Sequence, residues 1–163
     1  MSSSARASLA GISAHEDSNK YTSNFSAGVD GWIASAGTVA GNIDGIGGQN
    51  DNLRFTIDAT STTHHIDRAN QFTIGNTYRI RLSCYLPDTN DTVDGVRVYH
   101  GSGDYTLITD TNAWTAVDVY TTATATGFGI YAADGGSLTF QDAGGDDVFY
   151  IRNVIVDRWT RIP

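Results

Sequence analysis

The sequence predicts an all-β fold, an antiparallel two-sheet β-sandwich, preceded by an extended N-terminal arm. Three observations carry this. Apolar and polar residues alternate with a period of two along several short segments, which is the signature of half-buried strands. Clusters of Gly, Asn and Asp separate those segments at the spacing expected of a sandwich or barrel. No apolar segment sustains a helical period. The 163 residues contain 18 glycines and only two prolines, with aromatic residues at 10%. Gly punctuates turns, whereas Thr, Val, Ile and aromatics suit a pleated surface. A single domain of this length buries enough surface to fold without disulfides or metal.

Candidate strands run over 21–26, 31–43 with a break near Gly37, 52–58, 64–73, 77–86, 94–100, 104–109, 114–122, 126–133 and 147–157. The expected division is an arm over 1–20 and a β-sandwich domain over 21–163. In the clearest strands Tyr78, Ile80, Leu82, Cys84 and Leu86 share one face, as do Val96 with Val98, Val117 with Val119, and Phe128 with Ile130 and Ala132. These are expected to form the core. Trp32 and Trp114 each open a strand just after a turn and are expected to plug the core's ends, and Trp159 to anchor the C-terminal tail.

The opposite positions carry Arg79, Arg81, Tyr85, Arg97, Tyr99, Asp118, Tyr120 and Tyr131 rather than Lys and Glu. Aromatic rings, planar guanidinium groups and carboxylates match both the C–H faces and the hydroxyl rims of sugars. The same groups suit a protein interface, and cross-strand pairing on a solvated face accounts for them as well. They form the candidate glycan- or protein-binding face.

The net charge is −8, which argues against nucleic acid and against anionic membranes as partners. Arg supplies nine of the ten positive charges and Lys20 the tenth, a bias shared with protein interfaces. Cys84 is the only cysteine, so an internal disulfide is excluded and assembly in a reducing compartment is expected. There is no apolar stretch long enough to span a membrane, and Met1 to Leu9 lacks the apolar core of a secretory leader.

Residues 1–20 have too few large apolar side chains to build a core. They are expected to act as an assembly arm ordered on a neighbouring subunit, with Leu9 and Ile12 as aliphatic anchors and Arg6 as a bidentate donor to a carboxylate. No protease, hydrolase, phosphate-loop or paired-cysteine motif is present, so the chain is read as no enzyme. His64 and His65 are adjacent, so on a strand they point to opposite faces and share no metal. Asp142, Asp146 and Asp147 surround Gly144-Gly145, and Asp44, Asp51 and Asn52 flank a second Gly-rich loop. They are read as turn formers, with the first three as weak calcium candidates. No cofactor is expected.

Taken in order, Asn24-Phe25-Ser26-Ala27-Gly28 with Gly31-Trp32, then 53–57, then 72–79, then Trp114-Thr115-Ala116-Val117, then 148–156 resemble the jelly-roll carbohydrate-binding modules that accompany glycoside hydrolases. The resemblance covers about residues 21–157 and implies a jelly-roll sandwich. In that family acidic residues after the Phe-Tyr-Ile segment can serve a structural calcium. Here Arg152 and Asn153 stand in those positions, and Asp146 or Asp147 would have to substitute. Similar lone domains occur in tailed-bacteriophage structural proteins, as capsid decorations and tail parts. The resemblance therefore implies two readings. The main one is a non-catalytic virion protein, a bacteriophage capsid decoration (cement) subunit that binds neighbouring capsid subunits, is homo-oligomeric, and assembles in the host cytoplasm. The alternative is a glycan-binding adhesin or tail-fibre module that attaches to cell-surface sugars.

Overall fold

The computed structural model describes residues 15–58, 63–100, 103–134, 137–138 and 146–161. Among them there is no helix; eleven strands form two antiparallel sheets. They are β1 (His15–Ser23), β2 (Ile33–Ser35), β3 (Gly37–Ile43), β4 (Asn52–Ile57), β5 (His65–Arg68), β6 (Thr77–Tyr85), β7 (Gly95–Tyr99), β8 (Tyr105–Ile108), β9 (Trp114–Thr122), β10 (Phe128–Ala133) and β11 (Val148–Arg161). The six-stranded sheet runs β3-β4-β11-β6-β9, with β1 also paired to β11. The five-stranded sheet runs β2-β5-β10-β7-β8. The expected two-sheet sandwich is what forms.

Burial follows the alternation. Tyr78, Ile80, Leu82 and Cys84 of β6 face Val96 and Val98 of β7 and Phe128, Ile130 and Ala132 of β10 across one core, joined by Leu53, Phe55 and Ile57 of β4 and by Phe149 and Ile151 of β11. Val117 is buried and Val119 half-buried against the same core. Trp32 does plug one end. It meets Phe128 edge-on at 5.3 Å, and its indole N–H donates to the Tyr21 hydroxyl at 3.0 Å, which donates in turn to Asp30 at 2.8 Å.

Two expectations are corrected. Trp114 lies on the outer face of β9, half-buried, not in the core. The alternation that sends Val117 inward requires residue 114 to point outward. The first strand begins at His15, so the expected border at Tyr21 falls inside β1, and residues 15–20 pair with the sandwich's own β11. Ser18, Asn19 and Lys20 are exposed, so this half of the strand has no apolar face for the sequence pattern to reveal. The break expected near Gly37 does divide 31–43, into two strands that lie in different sheets. Ala36 adopts φ 55° and Gly37 φ 155° at the crossing, and a Cβ on Gly37 would lie 2.4 Å from the Thr56 carbonyl oxygen. Only glycine fits there.

The long strand β11 pairs with β6 along both its halves, but with β4 over 148–151 and with β1 from Val154 onward. At the change of neighbour, Arg152 to Ile155 spans one residue more than Ser83 to Arg81 opposite it, which is a β-bulge. Asn153 takes φ 52° there. The extra residue switches the inward set from Phe149 and Ile151 to Val154 and Val156, all fully buried. Asn tolerates this left-handed conformation and a β-branched residue does not. Replacement Asn153→Val is expected to cost about 1–2 kcal/mol in chemical denaturation, with Asn153→Gly close to neutral. Equal stability of the two variants would show that the bulge is not held by this backbone conformation.

Candidate functional site

The eight outward residues singled out in the sequence do not share a face. Arg79, Arg81 and Tyr85 on β6 and Asp118 and Tyr120 on β9 lie on the six-stranded sheet; Arg97 and Tyr99 on β7 and Tyr131 on β10 lie on the five-stranded sheet. The sandwich turns the two sets to opposite sides.

On the six-stranded sheet four of the charges pair with one another. Arg79 makes a bidentate pair with Asp118 through Nε and Nη2, at 2.8 and 2.7 Å. Hydrogen bonding from Arg79 holds the Asp118 carboxyl below the usual carboxylate range. Arg81 pairs with the buried Asp157 of β11. Tyr120 packs edge-on against Trp159 at 5.5 Å, beneath the Arg79 guanidinium. Tyr85 leans on Trp114 at 5.4 Å, and the Trp114 indole N–H donates to the Ile46 carbonyl at 3.0 Å. This face is a ladder of diagonal ion pairs and ring contacts that ties β9, β6 and β11 together.

The five-stranded sheet presents a different surface. Tyr105 on β8 meets Tyr99 on β7 at 5.4 Å between ring centroids; Tyr99 meets Tyr131 on β10 at 4.8 Å; Tyr131 stacks on His65 of β5 at 4.5 Å and 15°. Four rings from four adjacent strands make one strip across the sheet. The register sets two of the contacts, with Tyr99 opposite Tyr105 and Tyr131 opposite His65, and the third is diagonal, since Tyr131 sits opposite Arg97 and reaches along the sheet to Tyr99. Arg97 lies over the Tyr105 ring at 4.5 Å. His65 Nε2 and Asp67 Oδ2 are 2.8 Å apart. Ile33 on β2 and Leu107 on β8 flank the strip and are 65% and 45% exposed.

Beside Tyr131 the face deepens into a hollow of about 460 Å³, lined in part by Asp67, Tyr99, His100, Thr124, Thr126 and Gly129. Burial, and then the neighbouring Asp67 carboxylate and Tyr99, push the Tyr131 phenol above its ordinary pKa, so it is a neutral hydroxyl at physiological pH. Burial lowers His100, against the pull of Asp104, which favours the neutral ring. Stacked ring faces, a carboxylate and neutral hydroxyls together offer apolar contact and hydrogen bonding to one polyhydroxylated ligand. Sequence reading found Arg97, Tyr99 and Tyr131 of this face. It missed His65, Asp67 and Tyr105, although the His65-Ile66-Asp67 alternation around a buried Ile66 was a signal for two of them.

The adjacent histidines do point apart: His64 is buried, 3.4 Å from Asp58, while His65 faces outward. Asp147 is buried, and its two oxygens accept from the backbone N–H groups of Asp91, Thr92 and Val93 and from the Thr92 hydroxyl, all at 2.8–2.9 Å. A shell of N–H and O–H donors is the opposite of the all-oxygen acceptor set that calcium needs, so Asp147 does not fit the calcium site implied by the resemblance. Asp146 is exposed. Among the described residues no three His, Cys, Asp or Glu side chains converge. In the other Gly-rich loop Asp44 accepts from the Asp51 amide and Asn52 donates to the Ile43 and Gln49 carbonyls, as turn formers do. Asp142 and the arm residues Arg6, Leu9 and Ile12 lie outside the described residues.

No protein-family model and no curated protein sequence matches the chain. Solved structures match its fold. A xylan-binding family 22 carbohydrate-binding module from Paenibacillus barcinonensis superposes with a TM-score of 0.57 at 13% identity, covering 87% of this chain and 95% of that one. The C-terminal family 22 module of a Clostridium thermocellum xylanase gives 0.53 at 18% identity, over 89% and 97%. The K3 cleaved adhesin domain of Lys-gingipain from Porphyromonas gingivalis gives 0.58 at 9% identity, over 86% and 99%. At these identities the likeness establishes the jelly-roll sandwich alone. None of the three is a virion protein.

Burial alone would raise the Asp147 carboxyl, but the hydrogen bonds from Asp91, Val93 and Thr92 outweigh it and hold it below the usual range. A carboxyl whose folded pKa is depressed contributes stability above its unfolded value, about 3.9, and loses it as pH falls through the folded value. The melting temperature is therefore expected to drop as pH falls below about 4. Asp147→Ala should be less stable at pH 7 and should show a shallower acid drop. An acid profile unchanged by this substitution would mean that Asp147 is not the latch of the 91–93 loop.

Proposed function

We propose that the chain is a non-catalytic glycan-binding module whose site is the outward face of the five-stranded sheet. The observation that carries this reading is the continuous strip Tyr105–Tyr99–Tyr131–His65, one ring from each of four neighbouring strands. A sugar chain presents alternating C–H faces and hydroxyls. A row of exposed ring surfaces takes the faces, and Asp67, Arg97 and the tyrosine hydroxyls take the rims. The sheets differ in a way that selects one of them. The six-stranded sheet pairs Arg79 with Asp118 and Arg81 with Asp157 and exposes a single large apolar ring, Tyr120, whereas the five-stranded sheet exposes Tyr105, Leu107 and Ile33 along a continuous strip.

The binding of xylan by one structural neighbour supports the same reading, since jelly-roll sandwiches of this shape serve that purpose there. No reaction is assigned to the face: its carboxylate and imidazole, Asp67 and His65, are bonded to each other, with no second carboxylate opposite them among the lining residues. The capsid-decoration reading rests on the arm, whose anchors lie outside the described residues, so no described contact favours it.

The test is affinity electrophoresis through gels containing soluble polysaccharides, followed by calorimetry on the best ligand. Tyr99→Ala and Tyr131→Ala are each expected to weaken binding about tenfold or more, since losing a buried aromatic contact costs upward of about 1.4 kcal/mol. Tyr120→Ala, on the opposite sheet, should leave affinity unchanged. Retention on no polysaccharide overturns the function, and sensitivity to Tyr120 rather than Tyr131 overturns the site.

A further inference from the structure

We infer that the hollow beside Tyr131 is a side pocket for a branch: a polysaccharide backbone lies along the ring strip, and a sugar substituent carried by one of its middle units enters the hollow. The inference rests on the glycan-binding reading and names the class of glycan that the same face takes, a side-chain-bearing polysaccharide.

The position of the hollow decides between a branch and a chain end. The rings of the strip follow the order Tyr105, Tyr99, Tyr131, His65. The hollow is lined by the two middle rings, Tyr99 and Tyr131, and by neither of the outer two. A chain end would need its recess beyond Tyr105 or His65. A recess that opens at mid-strip meets a sugar unit with neighbours on both sides, and only a substituent can leave the chain there. The direction agrees. The strip crosses β8, β7, β10 and β5, whereas the hollow runs along the strands, past Arg68 where β5 ends and Phe128 where β10 begins, to the loop over 123–127. A backbone that turned into it would leave half of the rings uncovered.

The size and lining of the hollow fit one sugar unit. Its volume of about 460 Å³ falls within the range of about 300–1,000 Å³ for small-ligand sites. Asp67 brings carboxylate acceptors, Arg68 brings guanidinium donors, and the exposed Thr124 and Thr126 bring hydroxyls that do both. Sugar hydroxyls also donate and accept, so they find partners of either kind. The wall is built before a ligand arrives. Its loop is tied to the segment before β6 at three points: the Phe72 N–H donates to the Thr126 carbonyl at 2.9 Å, the Gly75 N–H to the Ala123 carbonyl at 2.8 Å, and the Ala123 N–H to the Asn76 carbonyl at 2.9 Å. A preformed wall spares the cost of ordering a loop on binding. An unsubstituted chain leaves the hollow to water and binds through the strip alone, whereas a substituent adds its own contacts.

The test is calorimetry of the full chain with pairs of oligosaccharides that share a backbone and differ in substitution: mannohexaose and galactosylated manno-oligosaccharide, xylohexaose and arabinosylated xylo-oligosaccharide, cellohexaose and xyloglucan oligosaccharide. The substituted member of at least one pair should bind about tenfold more tightly, the worth of one or two hydrogen bonds. Ala69→Trp, just after β5, and Ala125→Trp, in the loop, place bulk in the hollow from exposed positions, and each should abolish that difference. Thermal melts identify a filled variant that has lost its fold; the double variant Thr124→Ala with Thr126→Ala, a smaller change, should narrow the difference and then carries the test. Equal affinities within every pair overturn the inference. So does a difference that survives in every folded variant, and in either case binding of the linear member leaves the glycan-binding function standing. A wild-type chain that binds no member of any pair fails earlier, at the function itself, and the inference falls with it.

Discussion

The constraint on which the rest depends is that one strand must serve two neighbours. β11 is hydrogen-bonded to β6 along both its halves, yet on its other side it meets β4 first and β1 afterwards. A regular strand would carry one alternation throughout, and Val154 and Val156 would then lie on the face opposite Phe149 and Ile151. The single extra residue at Asn153 reverses the parity, so all four are buried. The same reversal sets Asp157 on the outer face, beside Arg81. Without the bulge the six-stranded sheet would expose valines and turn Asp157 toward the core, away from Arg81, and the five-stranded sheet would have no continuous core to rest on.

The two outer faces then divide the labour. Across β9, β6 and β11 two arginines each find a carboxylate on an adjacent strand, Arg79 with Asp118 and Arg81 with Asp157, and Arg152 lies over the Trp114 ring. Such pairs on a half-exposed surface contribute modestly to stability, but they tie up four of that face's charges. Across β5, β10, β7 and β8 the rings contact one another, and Arg97 lies over a ring. That face keeps the amphipathic character of its tyrosines exposed to a ligand. The sequence pattern is the same on both, Arg and Tyr alternating with aliphatics; the difference arises from what lies across the next strand.

This explains what was legible. Strand identity and the buried set followed from local alternation: Ile80, Leu82, Val96, Val98, Ile130 and Ala132 are all at the centre. Which strands neighbour each other did not follow, because pairing joins segments as far apart as His65 and Tyr131. The eight outward residues therefore read as one face and proved to be two. His65 and Asp67 escaped notice because a four-residue strand carries too short an alternation to stand out. Trp114 was misplaced by a rule about turns that its own strand's parity overrules. Residues 15–20 carried no pattern, since Ser18, Asn19 and Lys20 are exposed and the strand is held by main-chain pairing to β11. Gly129 was unreadable for a subtler reason. A glycine in a strand announces weakness in the sequence, and only the positions of Tyr131 and Asp67 show that it makes room for their side chains.

A sheet face is a shallow site, and its capacity to bind rests on order already present. Immobilising a rotamer-rich side chain on association costs about 0.5–1.5 kcal/mol. Here that cost is largely met in the folded chain. Tyr131 is held between His65 and Tyr99, Tyr99 also contacts Tyr105, and His65 is fixed by Asp67. Tyrosine suits such a surface because it offers a large contact area with few rotatable bonds. The stacking that locks the rings also keeps part of each face covered, so the area left for a ligand is bounded by the strip's own packing. The hollow beside Tyr131 relieves that limit at one point: the strip gives breadth and rigidity, and the hollow, with Asp67 in its lining, gives depth. A Cβ on Gly129 would press on the Tyr131 ring and on Asp67, so the packing of the strip depends on a bare backbone beneath it as well as on the rings themselves.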